Sequence, residues 1–126
     1  MIVDSSAIVA IVAGESDAEA MLGVMRDAES LSMATPTALE VTMVLGPERI
    51  DRAMHLLREL GVRLVDFDSA HLAVAQHAFA TYGRCSGSAA KLNFGDCMTY
   101  ALAKVRGEPL LFKGNDFTHT DAPPAR

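Results

Sequence analysis

The stretch MIVDSSAIVAIVAG, residues 1–14, sets an aspartate between two apolar runs of different kinds. Met1–Val3 is long enough only for a short buried strand, whereas the Ala, Ile and Val run from Ala7 to Ala13, closed by Gly14, reads as a buried helix. Asp4 therefore stands where a strand ends and a helix begins. An acid in that place is either a helix cap or a functional group, and the stretch alone leaves both readings open.

The strand–helix alternation continues outward from this junction. Ser16-Asp17-Ala18-Glu19 has the form of a capping box, with Ser16 as N-cap of a second helix. Ser30–Met33 predicts a second strand, and Thr35-Pro36-Thr37 starts a helix through ALEVTMVLG that Gly46-Pro47 stops. Glu48–Leu60 carries Ile50, Ala53, Met54, Leu57 and Leu60 at helical spacing. Val62–Phe67 predicts a third strand, and Ser69–Tyr82 a helix packing through Leu72, Ala73, Ala75, Phe79 and Ala80. YGRCSGSAAKL, residues 82–92, is a Gly- and Ser-rich loop. In NFGDCMTYALAKVRG, residues 93–107, Phe94, Cys97, Met98, Ala101, Leu102 and Val105 share one helical face, predicted to be buried. Pro109–Phe112 then predicts a fourth strand, from which Lys113-Gly114-Asn115-Asp116-Phe117 turns away.

Strands separated by helices imply parallel pairing through right-handed crossovers, an α/β fold whose strand C-termini share one edge. Ligands bind along that edge in such sheets. With 126 residues, half of them hydrophobic, the chain has material for a single sizeable core and no room for a second domain. Residues 1–121 form the predicted single domain, and 122–126, with two adjacent prolines, a loosely held tail.

Cys85 and Cys97 form no C-x-x-C pair and no secretory leader pattern opens the chain, so the cytoplasm is the expected compartment. The apolar run of residues 7–13 is far short of the roughly 20 residues a membrane span requires. A net charge of −5 argues against holding nucleic acid by bulk electrostatics. Carboxylates loaded with divalent cations would reverse that argument locally.

Four acids lie in apolar surroundings: Asp4 after MIV, Glu40 in TALEVTMV, Asp96 in NFGDCMTY and Asp116 in LLFKGNDF. Such carboxylates are costly to bury unless paired or bound to metal. Each of three also has a purely structural reading: capping for Asp4, the helix macrodipole for Asp96 and a turn for Asp116. Glu40 is harder to explain, because Ala38, Leu39, Val41, Met43 and Val44 occupy most of its helix circumference. If the four converge, oxygen ligands without His or Cys select Mg²⁺ or Mn²⁺, and the chemistry served is phosphoryl transfer. Ser6 stands ready to orient a ligand or a metal-bound water.

These motifs, in this order and across nearly the whole length, resemble the PIN-domain ribonucleases and in particular the VapC toxins of bacterial toxin–antitoxin pairs. The resemblance implies an α/β/α sandwich with a short parallel sheet of about four or five strands flanked by helices. It further implies metal-dependent endoribonuclease activity, a cognate VapB-like antitoxin that blocks the site, and a homodimer paired through helices. Asp4, Glu40 and Asp96 match the family's recurrent acids, and Ser6 matches its small hydroxyl residue. Many members continue the last strand as L-L-T-x-D; here those slots hold Phe112 and Gly114, which leaves Asp116 as the fourth acid, with Asn115 sharing its role.

Arg84, Lys91 and Lys113 are the candidate phosphate contacts, flanking the acids in sequence. Tyr82 and Phe94 are assigned to core packing rather than to base stacking, and the four histidines show no metal-ligand spacing. Two other classes compete with the nuclease. A phospho-acceptor domain would use Asp66 as acceptor and Lys113 as its contact, leaving Glu40 and Asp96 idle. A non-catalytic interaction module would use the Met- and Ala-rich helices alone.

Overall fold

The computed structural model describes residues 1–125. In chain order it contains β1 (Ile2–Val3), α1 (Ser5–Ala13), α2 (Ala18–Asp27), β2 (Leu31–Ala34) and α3 (Thr35–Leu45). A 3₁₀ turn (Pro47–Arg49) follows, then α4 (Ile50–Glu59), β3 (Val62–Val65), α5 (Ser69–Tyr82), α6 (Phe94–Arg106) and β4 (Leu110–Leu111). The sheet has four parallel strands in the order β3-β2-β1-β4, with Ile2 beside Ser32 and Leu110, and Val3 beside Leu111. This is the expected α/β/α arrangement.

Strand alternation divides the interior into two cores. Val3, Met33 and Leu111 face Ile8, Met21, Val41 and Leu57 on one side. Ile2, Ala34 and Leu110 face Ala75, Ala78, Tyr100 and Leu102 on the other. The two-residue strands β1 and β4 are buried on both faces, so each contributes one side chain to each core.

Several local expectations are corrected. Asp17, not Ser16, occupies the N-cap of α2, and its carboxylate makes no cap hydrogen bond; it accepts instead from Lys113 Nζ at 3.1 Å. The segment from Glu48 splits into the 3₁₀ turn and α4 because Pro47 opens it. On α5 the buried side is His71, Ala75 and Ala78, while Leu72 and Phe79 are about half exposed, at 49% and 57%. Phe94, expected on the buried face of α6, is 78% exposed, whereas Tyr82 does pack, its ring centroid 5.7 Å from that of Tyr100. A narrow sheet gives these helices little area to cover, and small residues suffice for it.

The tail is also held more firmly than expected. Leu110 N–H donates to Pro123 O at 2.9 Å, Ala125 N–H donates to Leu110 O at 2.9 Å, and Ala122 is buried. Residues 122–125 thereby satisfy the backbone groups on the open edge of β4 and mark a fifth strand position at Pro124. Proline there loses nothing, since its missing N–H would face away from β4. Tyr100 Oη donates to Asp121 Oδ1 at 2.6 Å and anchors the start of this segment on α6. Residue 126 lies outside the described residues.

Candidate active site

Parallel pairing sends the ends of β1 and β4 to one edge, and the loops leaving them carry Asp4 and Asp116. Asp4 is both a helix cap and the centre of a hydrogen-bond network that reaches α6 and the loop after β4. As N-cap of α1 its Oδ2 accepts from Ser6 N–H at 3.0 Å and from Ser6 Oγ at 2.6 Å. Its Oδ1 accepts from Thr99 Oγ1 of α6 at 2.7 Å, and the residue is only 4% exposed. Ser6 Oγ in turn accepts from Lys113 N–H at 3.0 Å, which fastens the loop after β4 to Asp4.

Asp96 sits in the first turn of α6, where Asn93 and Asp96 form a capping box: Asn93 N–H donates to Asp96 Oδ2 at 2.7 Å, and Asp96 N–H to Asn93 Oδ1 at 3.0 Å. Burial pushes its carboxyl up to about 6; the Asn93 bond opposes this, and the charges of Asp4, Asp116 and Glu40 reinforce it. Glu40 is half-buried on α3, and burial raises its carboxyl too, opposed by the Ser5 hydroxyl and assisted by Asp4. Its carboxylate lies on the backbone of Gly95, where a side chain would collide with Oε1. Asp116 and Asn115 are exposed in the turn after β4, which the buried Phe117 ring anchors against Phe112 at 5.1 Å between centroids. Asp96 is thus within electrostatic reach of the other three predicted acids, and Glu40 of Asp4.

With the side chains as they stand, no three His, Cys, Asp or Glu groups among the described residues meet at one point. The reason is local: Asp96 turns an oxygen back to Asn93, and Glu40 leans on Gly95. The donor set nevertheless suits a hard divalent cation, being oxygen only, with Gly95 leaving to the Glu40 carboxylate the space a side chain would fill. Asp4 and Asp96 retain acceptor capacity beyond their present bonds, since a carboxylate offers about four lone-pair sites.

The cations behave differently from one another. Arg84 and Lys91 are exposed, and Arg84 lines an apolar groove of about 600 Å³ with Leu72, Phe79, Cys85, Phe94 and Met98. Asn93 and Cys97, which also line it, bracket Asp96. Lys113 is paired with Glu15 and Asp17, so its charge ties the loop after β4 to the α1–α2 connection. Asp66 follows β3 and Lys113 follows β4, at opposite edges of the sheet and about 14 Å apart by three strand spacings. That separation removes the geometry a phospho-acceptor reading requires.

Three residues of the site went unread in the sequence: Gly95, Thr37 and Thr99. The signal was present as helical spacing, because Thr37 stands three residues before Glu40 and Thr99 three after Asp96. Both threonines are 1% exposed, and their hydroxyl oxygens are 3.2 Å apart.

Among the described residues no helix is long and apolar enough to cross a membrane. The PIN domain family model matches residues 1–123. The chain is 44% identical to Ribonuclease VapC42 of Mycobacterium tuberculosis strain H37Rv over 99% of its own length and 98% of the relative's. It is also 44% identical to Ribonuclease VapC28 of the same organism, over 95% and 93%. Among solved structures it is similar to Mycobacterium tuberculosis VapC20, described as a Sarcin-Ricin loop cleaving toxin, with a TM-score of 0.75 and 15% identity over 98% of each chain. A toxin–antitoxin complex from Klebsiella pneumoniae aligns with a TM-score of 0.74 and 13% identity, covering 97% of this chain and 93% of that one. With the family model matching residues 1–123 and 44% identity to a VapC ribonuclease over nearly the whole of both chains, the chain belongs to the PIN-domain family, among its VapC-type ribonucleases.

Proposed function

We propose that the chain is a Mg²⁺- or Mn²⁺-dependent endoribonuclease, the toxin of a VapBC-like pair, with Asp4, Asp96 and Asp116 as metal ligands and Glu40 joining directly or through a water. The observation that carries this reading is Asp96, a buried carboxyl whose proton is held up to about 6 partly by three neighbouring carboxylates. Carboxylates whose charges reach Asp96 in this way repel it until a cation joins them. A divalent ion held there lowers the pKa of a water and stabilises charge on the phosphodiester oxygens.

The chain's own residues prepare that chemistry. Asp4 is held in orientation by Ser6 and Thr99, and Ser6 holds the Asp116 loop through Lys113 N–H. Asn115 supports Asp116 in the same turn. Arg84 and Lys91 contact RNA phosphates beside the acids, and Lys113 becomes a third contact on exchanging Glu15 and Asp17 for phosphate. The exposed Phe94 ring, two residues before Asp96, offers a stacking surface for an unpaired base.

A cognate antitoxin of the VapB kind blocks the site, and two copies pair through helices. Leu39, Met43 and Val44 of α3, exposed at 60%, 74% and 61%, supply an apolar face for that pairing. The module works in the cytoplasm. The test is cleavage of structured and single-stranded RNA by the purified chain with Mn²⁺ or Mg²⁺. D4N and D96N are expected to fold and lose cleavage; cleavage that persists in both variants with a chelator present overturns the reading.

A further inference from the structure

We propose that Thr37 and Thr99 are positioning residues that hold the acidic site in register through a hydrogen-bond chain of fixed direction, Thr37 to Thr99 to Asp4. The inference rests on the divalent-cation site proposed above. Thr99 Oγ1 is 2.7 Å from Asp4 Oδ1, and Thr37 Oγ1 is 3.2 Å from Thr99 Oγ1, with both threonines 1% exposed. Water therefore has no access to either hydroxyl.

A hydroxyl has one proton to donate, and an ionised carboxylate only accepts. Thr99 must direct its proton to Asp4, because Oδ1 brings none to the contact. Its oxygen is then an acceptor in the other contact, and the proton there comes from Thr37. The Ser6 hydroxyl obeys the same logic on Oδ2, accepting from Lys113 N–H and donating to Asp4. Asp4 is thus gripped on both oxygens, and each grip reaches a different element of the fold.

The chain links the three elements that carry Asp4, Glu40 and Asp96. Thr37 lies on α3 three residues before Glu40, and Thr99 on α6 three after Asp96, so each threonine shares a helix face with its acid. Moving α3 or α6 relative to β1 changes the spacing of the carboxylates and stretches a hydroxyl contact at the same time. Neither threonine touches the reacting atoms; both act through Asp4. Partners of metal ligands of this kind alter cation affinity by about 10- to 100-fold when removed.

Mn²⁺ titrations by calorimetry test this on the full chain, using T99V, T99S, T37V and T37S beside wild type and D4N. Valine keeps the shape of threonine and deletes the hydroxyl. T99V is expected to weaken Mn²⁺ by at least about 10-fold, T37V by less, and both serine variants to bind as wild type. The T37V effect is expected to vanish in the T99V background, since the chain is already cut. Wild-type affinity in T99V, or weakening in T99S equal to that in T99V, overturns the inference; the latter result assigns Thr99 to packing alone. If T99V does not fold, equal affinities of T37V and T37S overturn it. Failure of wild type to bind Mn²⁺, or undiminished binding by D4N, overturns the metal reading itself, a result distinct from either of these.

Discussion

A side chain at position 95 would place its Cβ 2.2 Å from Oε1 of Glu40, so Gly95 on α6 is the surface on which the Glu40 carboxylate of α3 rests. The three nearest atoms to that Cβ all belong to the Glu40 carboxylate, which is the mobile end of a flexible side chain. The two helices therefore meet at the site through a glycine backbone and an acid.

For G95A the consequence is a separation of stability from function. The added methyl displaces Glu40, while alanine inside a helix stabilises by up to about 1 kcal/mol relative to glycine. The variant is expected to melt no lower than wild type in the absence of metal and to lose most RNA cleavage. Thermal unfolding and a cleavage assay on the same preparation check both halves, and full activity in G95A would remove Glu40 from the site.

Asp96 makes metal-free stability depend on pH with a defined sign. Its carboxyl rises from an ordinary 3.8 to about 6 in the folded chain. Below about pH 4 it is protonated in both states and contributes nothing; between about pH 4 and 6 the unfolded state releases the proton first, so stability falls as pH rises. Above about pH 6 the full penalty remains. In chelator D96N is expected to melt higher than wild type at about pH 7 and equally near pH 4, with the gap closing in wild type when Mn²⁺ is added. Equal melting temperatures at neutral pH would show that Asp96 is not destabilised.

Arg84 and Lys91 stand in solvent and are assigned to phosphates rather than to bases. R84A and K91A should each weaken RNA binding with little dependence on sequence, and each should lower the slope of log affinity against log salt by about 1. Fluorescence anisotropy with a D4N background, which binds without cutting, measures this directly. Unchanged slopes would place the RNA elsewhere.

Met43 is the most exposed member of the apolar α3 face, at 74%. A charge there has no burial to lose in the monomer, so M43E is expected to fold normally and to sediment as a monomer where wild type sediments as a dimer. A wild type that is itself monomeric at the same concentration would contradict the pairing.

The strand–helix order, the parallel sheet and the sequence positions of Asp4 and Asp96 were legible in the chain alone, because each follows from local rules. An apolar pair ended by an acid and a serine makes a strand and a capped helix, and the NFGD turn makes the capping box of α6. Glu40 stood out for its apolar surround, but Leu39, Met43 and Val44 are exposed, and Glu40 is half-buried with its carboxylate turned toward Gly95. Periodicity identifies residues that share a face, but not which face meets which partner. The contact of Glu40 with Gly95, the Thr37–Thr99–Asp4 chain spanning 95 residues from Asp4 to Thr99, and the docking of residues 122–125 on β4 all join segments distant in sequence. Those pairings were decided by the tertiary structure, since only packing sets two helices and a strand end at the distance where one hydroxyl can reach one carboxylate.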